Sequence, residues 1–172
     1  MSKQVLVTYA TKYGATAEIA EKIGQVLQKE GLAADVVPVK KMKDLSPYSA
    51  VVLGSAVYIG RWRKEAVQFM EKNEQALAER DVWIFSSGPT DEGDPLELVE
   101  GWTLPDKLKP VAERIQPHDI AVFHGVLDLD TLNFIERTML SKMDVPVGDF
   151  RDWEMIAEWA TAVADTLKEP AA

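Results

Sequence analysis

Five short strand-like runs alternate with stretches of helical period, and this alternation narrows the possible folds more than any other feature of the chain. Val5-Leu6-Val7-Thr8-Tyr9 is continuously apolar, as a parallel strand buried on both faces should be. Ile19, Ala20, Ile23, Val26 and Leu27 then recur at spacings of three and four, and Gly31 closes the helix they imply. Further strands are read at 34–39, 50–54, 82–86 and 119–126, with helices at 64–73 and 105–115 and a last one carrying Trp153, Ile156, Trp159 and Val163. Repeated βαβ units imply right-handed crossovers. The expected fold is therefore α/β: a doubly wound, five-stranded parallel sheet of order 2-1-3-4-5 with helices on both faces. In such a sheet the ligand site lies beyond the carboxyl ends of strands 1 and 3. Two segments exceed the minimal pattern, a long connection at 88–104 and an extra helical stretch at 130–143. With no repeat or linker, one domain is expected over 1–172, long enough to bury roughly 70% of its unfolded surface.

Composition excludes several kinds of chemistry. The chain has no cysteine, so disulfides, catalytic thiols, cysteine-ligated iron–sulfur clusters and cysteine zinc sites are ruled out. Redox chemistry would need an organic cofactor. No apolar run reaches the ~20 residues of a membrane span, and Met1-Ser2-Lys3-Gln4 leads straight into a strand-like run, so a cytoplasmic protein is expected. The net charge of −9 is uneven: residues 1–85 hold 12 Lys/Arg and 10 Asp/Glu, and residues 86–172 hold 7 and 18. An acidic half disfavours nucleic acid and anionic lipid and suits a basic protein partner, or it merely keeps the protein dissolved. The oligomeric state stays open.

Three loops converge at the carboxyl edge of such a sheet. Thr11-Lys12-Tyr13-Gly14-Ala15-Thr16 opens directly onto the first helix. Free amides at a helix start attract anions, Thr11 and Thr16 add hydroxyls, and Gly14 permits close approach or positive φ. A plain helix cap is the competing reading. Gly54-Ser55-Ala56-Val57-Tyr58-Ile59-Gly60 leaves the most apolar strand; its small residues admit a flat ligand, on which Tyr58 and Trp62 can stack if they do not simply cover the sheet edge. Ser86-Ser87-Gly88-Pro89-Thr90 offers donors to the polar edge of a heterocycle. Neither G-x-x-x-x-G-K-[ST] nor G-x-G-x-x-G is present, which speaks against a triphosphate or a dinucleotide.

With these residues in place the chain resembles the flavodoxin family. Thr11, Gly14 and Thr16 match its phosphate loop [ST]-x-T-G-x-T, and Tyr13 departs from it. Across nearly the whole chain the resemblance is to flavodoxin-domain proteins similar to menaquinone-dependent protoporphyrinogen oxidase, carried also by 54–60, Gly125 and Asp152-Trp153-Glu154. The resemblance implies FMN, with Thr11, Lys12, Tyr13, Gly14, Ala15 and Thr16 on its phosphate. Ser55, Ala56, Val57, Tyr58, Ile59 and Gly60 would flank the ring, and Ser86, Ser87, Gly88, Pro89 and Thr90 would meet its pyrimidine edge. Arg61 and Arg63 would bind the carboxylates of a substrate. The connection after strand 4, with Asp91, Glu92, Asp94, Glu97 and Glu100, departs from the basic surface such a substrate favours.

Other readings fit less well. A response-regulator receiver needs acids where Tyr9-Ala10-Thr11 and Gly54-Ser55 stand. A serine hydrolase needs an absent G-x-S-x-G. His118 and His124 have no metal-ligand pattern and are expected to cap or to face solvent. Three functions remain: an FMN carrier of electrons between partner proteins, which the acids slightly favour; an FMN enzyme oxidising a small substrate and reducing a quinone; and a scaffold without cofactor.

Overall fold

The computed structural model describes residues 3–170; Met1 and Ser2 of the expected chain start lie outside them. In chain order the first elements are β1 (Gln4–Ala10), α1 (Ala15–Lys29), β2 (Ala33–Pro38), β3 (Ala50–Tyr58), β4 (Arg61–Trp62), α2 (Lys64–Lys72), α3 (Glu74–Ala78) and β5 (Asp81–Ser87). There follow α4 (Pro95–Leu98), α5 (Lys109–Ile115), β6 (Asp119–Phe123), β7 (Val126–Leu127), α6 (Phe134–Ser141), β8 (Gly148–Asp149) and α7 (Trp153–Lys168).

The parallel sheet runs β2-β1-β3-β5-β6, the doubly wound order expected. Successive side chains of a strand point to opposite faces, and both faces are covered here. Leu6, Val51, Leu53 and Ile84 pack with Ala66 and Met70 of α2, Leu77 of α3 and Val111 and Ile115 of α5. Val5, Val7, Val52 and Phe85 pack with Ile19, Ile23 and Leu27 of α1 and Ile156, Ala160 and Val163 of α7. Val5, Leu6 and Val7 are all fully buried, which is why the sequence of β1 shows no alternation.

The expected elements differ from the structure at their ends. The third strand continues through Tyr58 and turns back on itself: β4 pairs antiparallel with β3, Tyr58 opposite Arg61. Ile59 and Gly60 between them both have positive φ, 51° and 68°, as a two-residue type I′ hairpin requires. The last sheet strand stops at Phe123 rather than at 126. Gly125 leaves the ladder, donating its N–H to Pro89 O at 3.0 Å and accepting from Phe150 N at 3.1 Å. The extra stretch is broken into a 3-10 turn at Leu129–Thr131 and α6, and β7 and β8 form a small antiparallel flap. Among the described residues no helix is long and apolar enough to cross a membrane, and no cluster of three His or acidic side chains is disposed to hold a metal.

Candidate functional site

The loop from β1 to α1 presents an open helix start. Gly14 is the N-cap, left-handed at φ 95°, and no side chain caps the helix. Gly14 N–H donates to Thr11 Oγ1 at 2.9 Å, and the first helical amide to find a carbonyl is that of Glu18, on Gly14 O. The amides of Ala15, Thr16 and Ala17 are left unspent at the positive end of a 15-residue helix. A Cβ at Gly14 would meet nothing within 4 Å, so the space above the loop is free.

A narrow cleft of about 70 Å³ brings this loop together with the ends of β3 and β5; Thr11, Lys12, Tyr13, Ala15, Thr16, Ala56, Val57, Tyr58, Ser87 and Gly88 all line it. Val57 and Gly88 also line an adjoining apolar cavity of about 390 Å³, with Ile59, Gly60, Pro89, Val99, Trp102 and Val122. Three glycines have distinct parts here. A Cβ on Gly88 would come within 3.0 Å of Val57, and one on Gly125 within 2.9 Å of Gly88 O, so two loops touch only because both residues lack side chains. Gly54, by contrast, makes room for Phe85, whose ring a Cβ would overlap; it serves packing rather than a ligand.

Some expected contacts are spent inside the protein. Ser55 Oγ donates to Ala56 O and accepts from Arg63 N. Ser86 Oγ accepts from Trp62 Nε1 at 2.8 Å and donates to Thr103 O. Trp62 is thus a buried brace, 5% exposed, and not a stacking platform. Ser55, Ser86 and Thr90 line neither cavity. Lys12 and Tyr13 turn to α6: Lys12 Nζ lies 2.9 Å from Glu136 Oε1, and the Tyr13 hydroxyl donates to the same carboxylate. Those two bonds, the Tyr13 hydroxyl's first, hold the Glu136 carboxyl below the usual carboxylate range. Lys12 Nζ also sits 3.7 Å over the Tyr58 ring, while the Tyr58 hydroxyl is buried beside the cleft without a partner.

A fourth loop was not foreseen. Gly125, Val126, Leu127, Asp128, Thr131 and Leu132 form the far wall of the cleft, and of these the sequence singled out only Gly125. Arg151, also missed, is almost wholly buried, forks onto Asp149 and donates to Ala15 O, tying the flap to the first turn of α1. His124 is 6% exposed and its Nε2 meets Gly93 O at 2.7 Å, so it anchors the acidic connection and does not face solvent. His118 stacks on Trp83 and pairs with Asp81. Arg61 reaches a third cavity, between α2 and residues 105–107, whereas Arg63 Nε points toward Glu65 at 3.7 Å.

A doubly wound sheet with an open helix start and three loops gathered at its carboxyl edge defines a class, and the comparisons agree with it. A family model for the flavodoxin domain matches residues 6–152; the chain belongs to that family. Protoporphyrinogen IX dehydrogenase (quinone) of Escherichia coli strain K12 is 24% identical over 188 residues, covering 97% of this chain and 98% of that protein. A flavodoxin from the domain Archaea superposes with a TM-score of 0.62 at 14% identity, over 96% of this chain and 99% of its own. Flavodoxin 2 from Bacillus cereus gives 0.61 at 20% identity, over 95% and 99%. Flavodoxin-family proteins are FMN-binding redox proteins, and the groups present here fit FMN: unspent amides and hydroxyls at a helix start for a phosphate, a neighbouring apolar cavity for a ring, and the unpartnered Tyr58 hydroxyl beside them.

Proposed function

We propose that the chain is an FMN-dependent oxidoreductase that takes electrons from a small organic substrate, with the amides of 15–17 and the hydroxyls of Thr11 and Thr16 holding the phosphate. Val57, Ile59, Gly60, Gly88 and Pro89 flank the ring. When bound, FMN supplies the capacity to accept and release electrons; the protein's own residues bind and orient it and keep water from its apolar side. The observation that carries the FMN part of this reading is the adjoining apolar cavity of about 390 Å³, a size and lining that suit a flat ring. The similarity to a protoporphyrinogen IX dehydrogenase over 97% of the chain supports a substrate of that kind and a quinone as acceptor.

A second reading, an electron carrier between proteins, is favoured by the exposed Asp91, Glu92, Asp94, Glu97 and Glu100 on the rim, which suit a basic partner. One experiment separates the two. The FMN-loaded protein is given reduced porphyrinogen and a soluble quinone analogue. Sustained turnover supports the dehydrogenase. No turnover, together with fast, salt-sensitive electron exchange with a basic redox protein, supports the carrier.

A further inference from the structure

Lys12 is shared between the phosphate loop and α6. It lines the cleft with Thr11, Ala15 and Thr16, yet its ammonium lies 2.9 Å from Glu136 Oε1. The Tyr13 hydroxyl donates to the same carboxylate, and Asn133 Nδ2 adds a further bond at 3.1 Å. An internal carboxylate thus occupies two side chains of a loop whose amides invite an anion.

Little else holds α6. None of its residues is buried, and Phe134 is 83% exposed. Among the described residues, the hydrogen bonds that tie this helix to a distant part of the chain are those from Lys12 and Tyr13. The far wall of the cleft runs straight into it: Thr131 and Leu132 line the cleft, and Asn133 caps α6. The cleft they close measures about 70 Å³, against roughly 300–1,000 Å³ for a small-molecule pocket.

We propose that Glu136 is a latch standing in for the phosphate: when a phosphate monoester enters the cleft, Lys12 and Tyr13 give up Glu136, and α6 is released together with the cleft wall. This rests on the reading of the cleft as an FMN site. A phosphate monoester carries about −1.5 to −2 charges at pH 7 and three acceptor oxygens, so it outcompetes a single carboxylate for an ammonium. Lys12 can turn without losing its other neighbour, because its Nζ lies 3.7 Å over the ring of Tyr58, which lines the cleft as well. Glu136 left in place would face the phosphate as a like charge. The closed latch therefore lowers the apparent affinity for FMN by the fraction of molecules it holds shut. Riboflavin shares the ring but has no charge to draw Lys12 away.

Deuterium exchange of the α6 amides, followed at pH 7 with saturating FMN and with saturating riboflavin, tests the release. FMN should lower their protection to the level of unliganded E136Q, and riboflavin should leave it unchanged. By calorimetry, E136Q should bind FMN about tenfold more tightly than the wild type, the effect of one charge-assisted contact freed, and riboflavin equally. E113Q, which removes the same charge from α5 on the opposite face of the sheet, should match the wild type in both. Protection of α6 that FMN preserves or raises overturns the proposal, as does an equal fall with riboflavin. An unchanged or weaker FMN affinity in E136Q, or the same gain in E113Q, also overturns it. FMN binding with α6 unmoved removes the latch and keeps the reading of the cleft; no FMN binding by the wild type removes both.

Discussion

The hydroxyls of Thr16 and Ser87 meet at 2.8 Å, joining the first turn of α1 to the end of β5 in the wall of the cleft. Thr16 is 1% exposed and Ser87 4%. Whichever hydroxyl donates, the other keeps a proton for an anion in the cleft. Thr16→Val therefore leaves Ser87 without its buried partner. It should lower folding stability by about 1–3 kcal/mol and weaken FMN binding as well. Urea unfolding and an FMN titration measure the two effects; a variant unchanged in both would detach this pair from the site.

Gly14 makes a different demand. Its φ of 95° disfavours any side chain, although the space around it is empty. Gly14→Ala should fold with a stability loss of about 1–3 kcal/mol, and Gly14→Val should in addition obstruct the approach of a phosphate to the amides. Thermal unfolding and FMN affinity, compared across the two variants, separate strain from obstruction.

The strained hairpin tip makes the opposite prediction. Ile59→Asn places a residue tolerant of left-handed backbone at φ 51° and should raise stability by about 1 kcal/mol while reducing substrate turnover. A stabilised variant with full turnover would show that Ile59 has no part in the site.

Glu136 gives a pH dependence of known sign. Its folded-state pKa is lowered from 4.5, first by the Tyr13 hydroxyl and then by Lys12. The stabilisation is therefore fully present above the unfolded value and is lost as pH falls through the lower folded one. Protection of the α6 amides, taken relative to the free-peptide exchange rate at each pH, should fall as pH drops below the unfolded value, and in Glu136→Gln it should be low and nearly unchanged across that range. An identical pH profile in the variant would remove the latch.

The sheet order and the three converging loops were legible because they depend on near-continuous apolar runs and on hydroxyl-rich segments beside them, which local sequence encodes directly. The hairpin at Ile59-Gly60 was not, since Ile is the wrong residue for its backbone and only the tertiary site explains it. The fourth wall, 125–132, overlaps the ends of a strand and a helical stretch read from the sequence, neither of which points to the cleft; its place is set by Gly125 touching Gly88. The partners that tie Glu136 and Arg151 to the first loop, Lys12 and Ala15, lie more than 120 residues away in sequence, beyond the reach of any local pattern. Trp62 and Ser86 had the composition of ligand residues, and only their mutual hydrogen bond reveals them as braces.

FMN bound through its phosphate at the start of α1 is the central claim, and calorimetry of FMN against riboflavin tests it most directly. The two ligands share the ring and differ in the phosphate, so the difference in affinity reports on the unspent amides of 15–17 and the hydroxyls of Thr11 and Thr16. FMN should bind about one to one and at least roughly tenfold more tightly than riboflavin, as one or more charge-assisted hydrogen bonds require. Equal affinity for the two would contradict it.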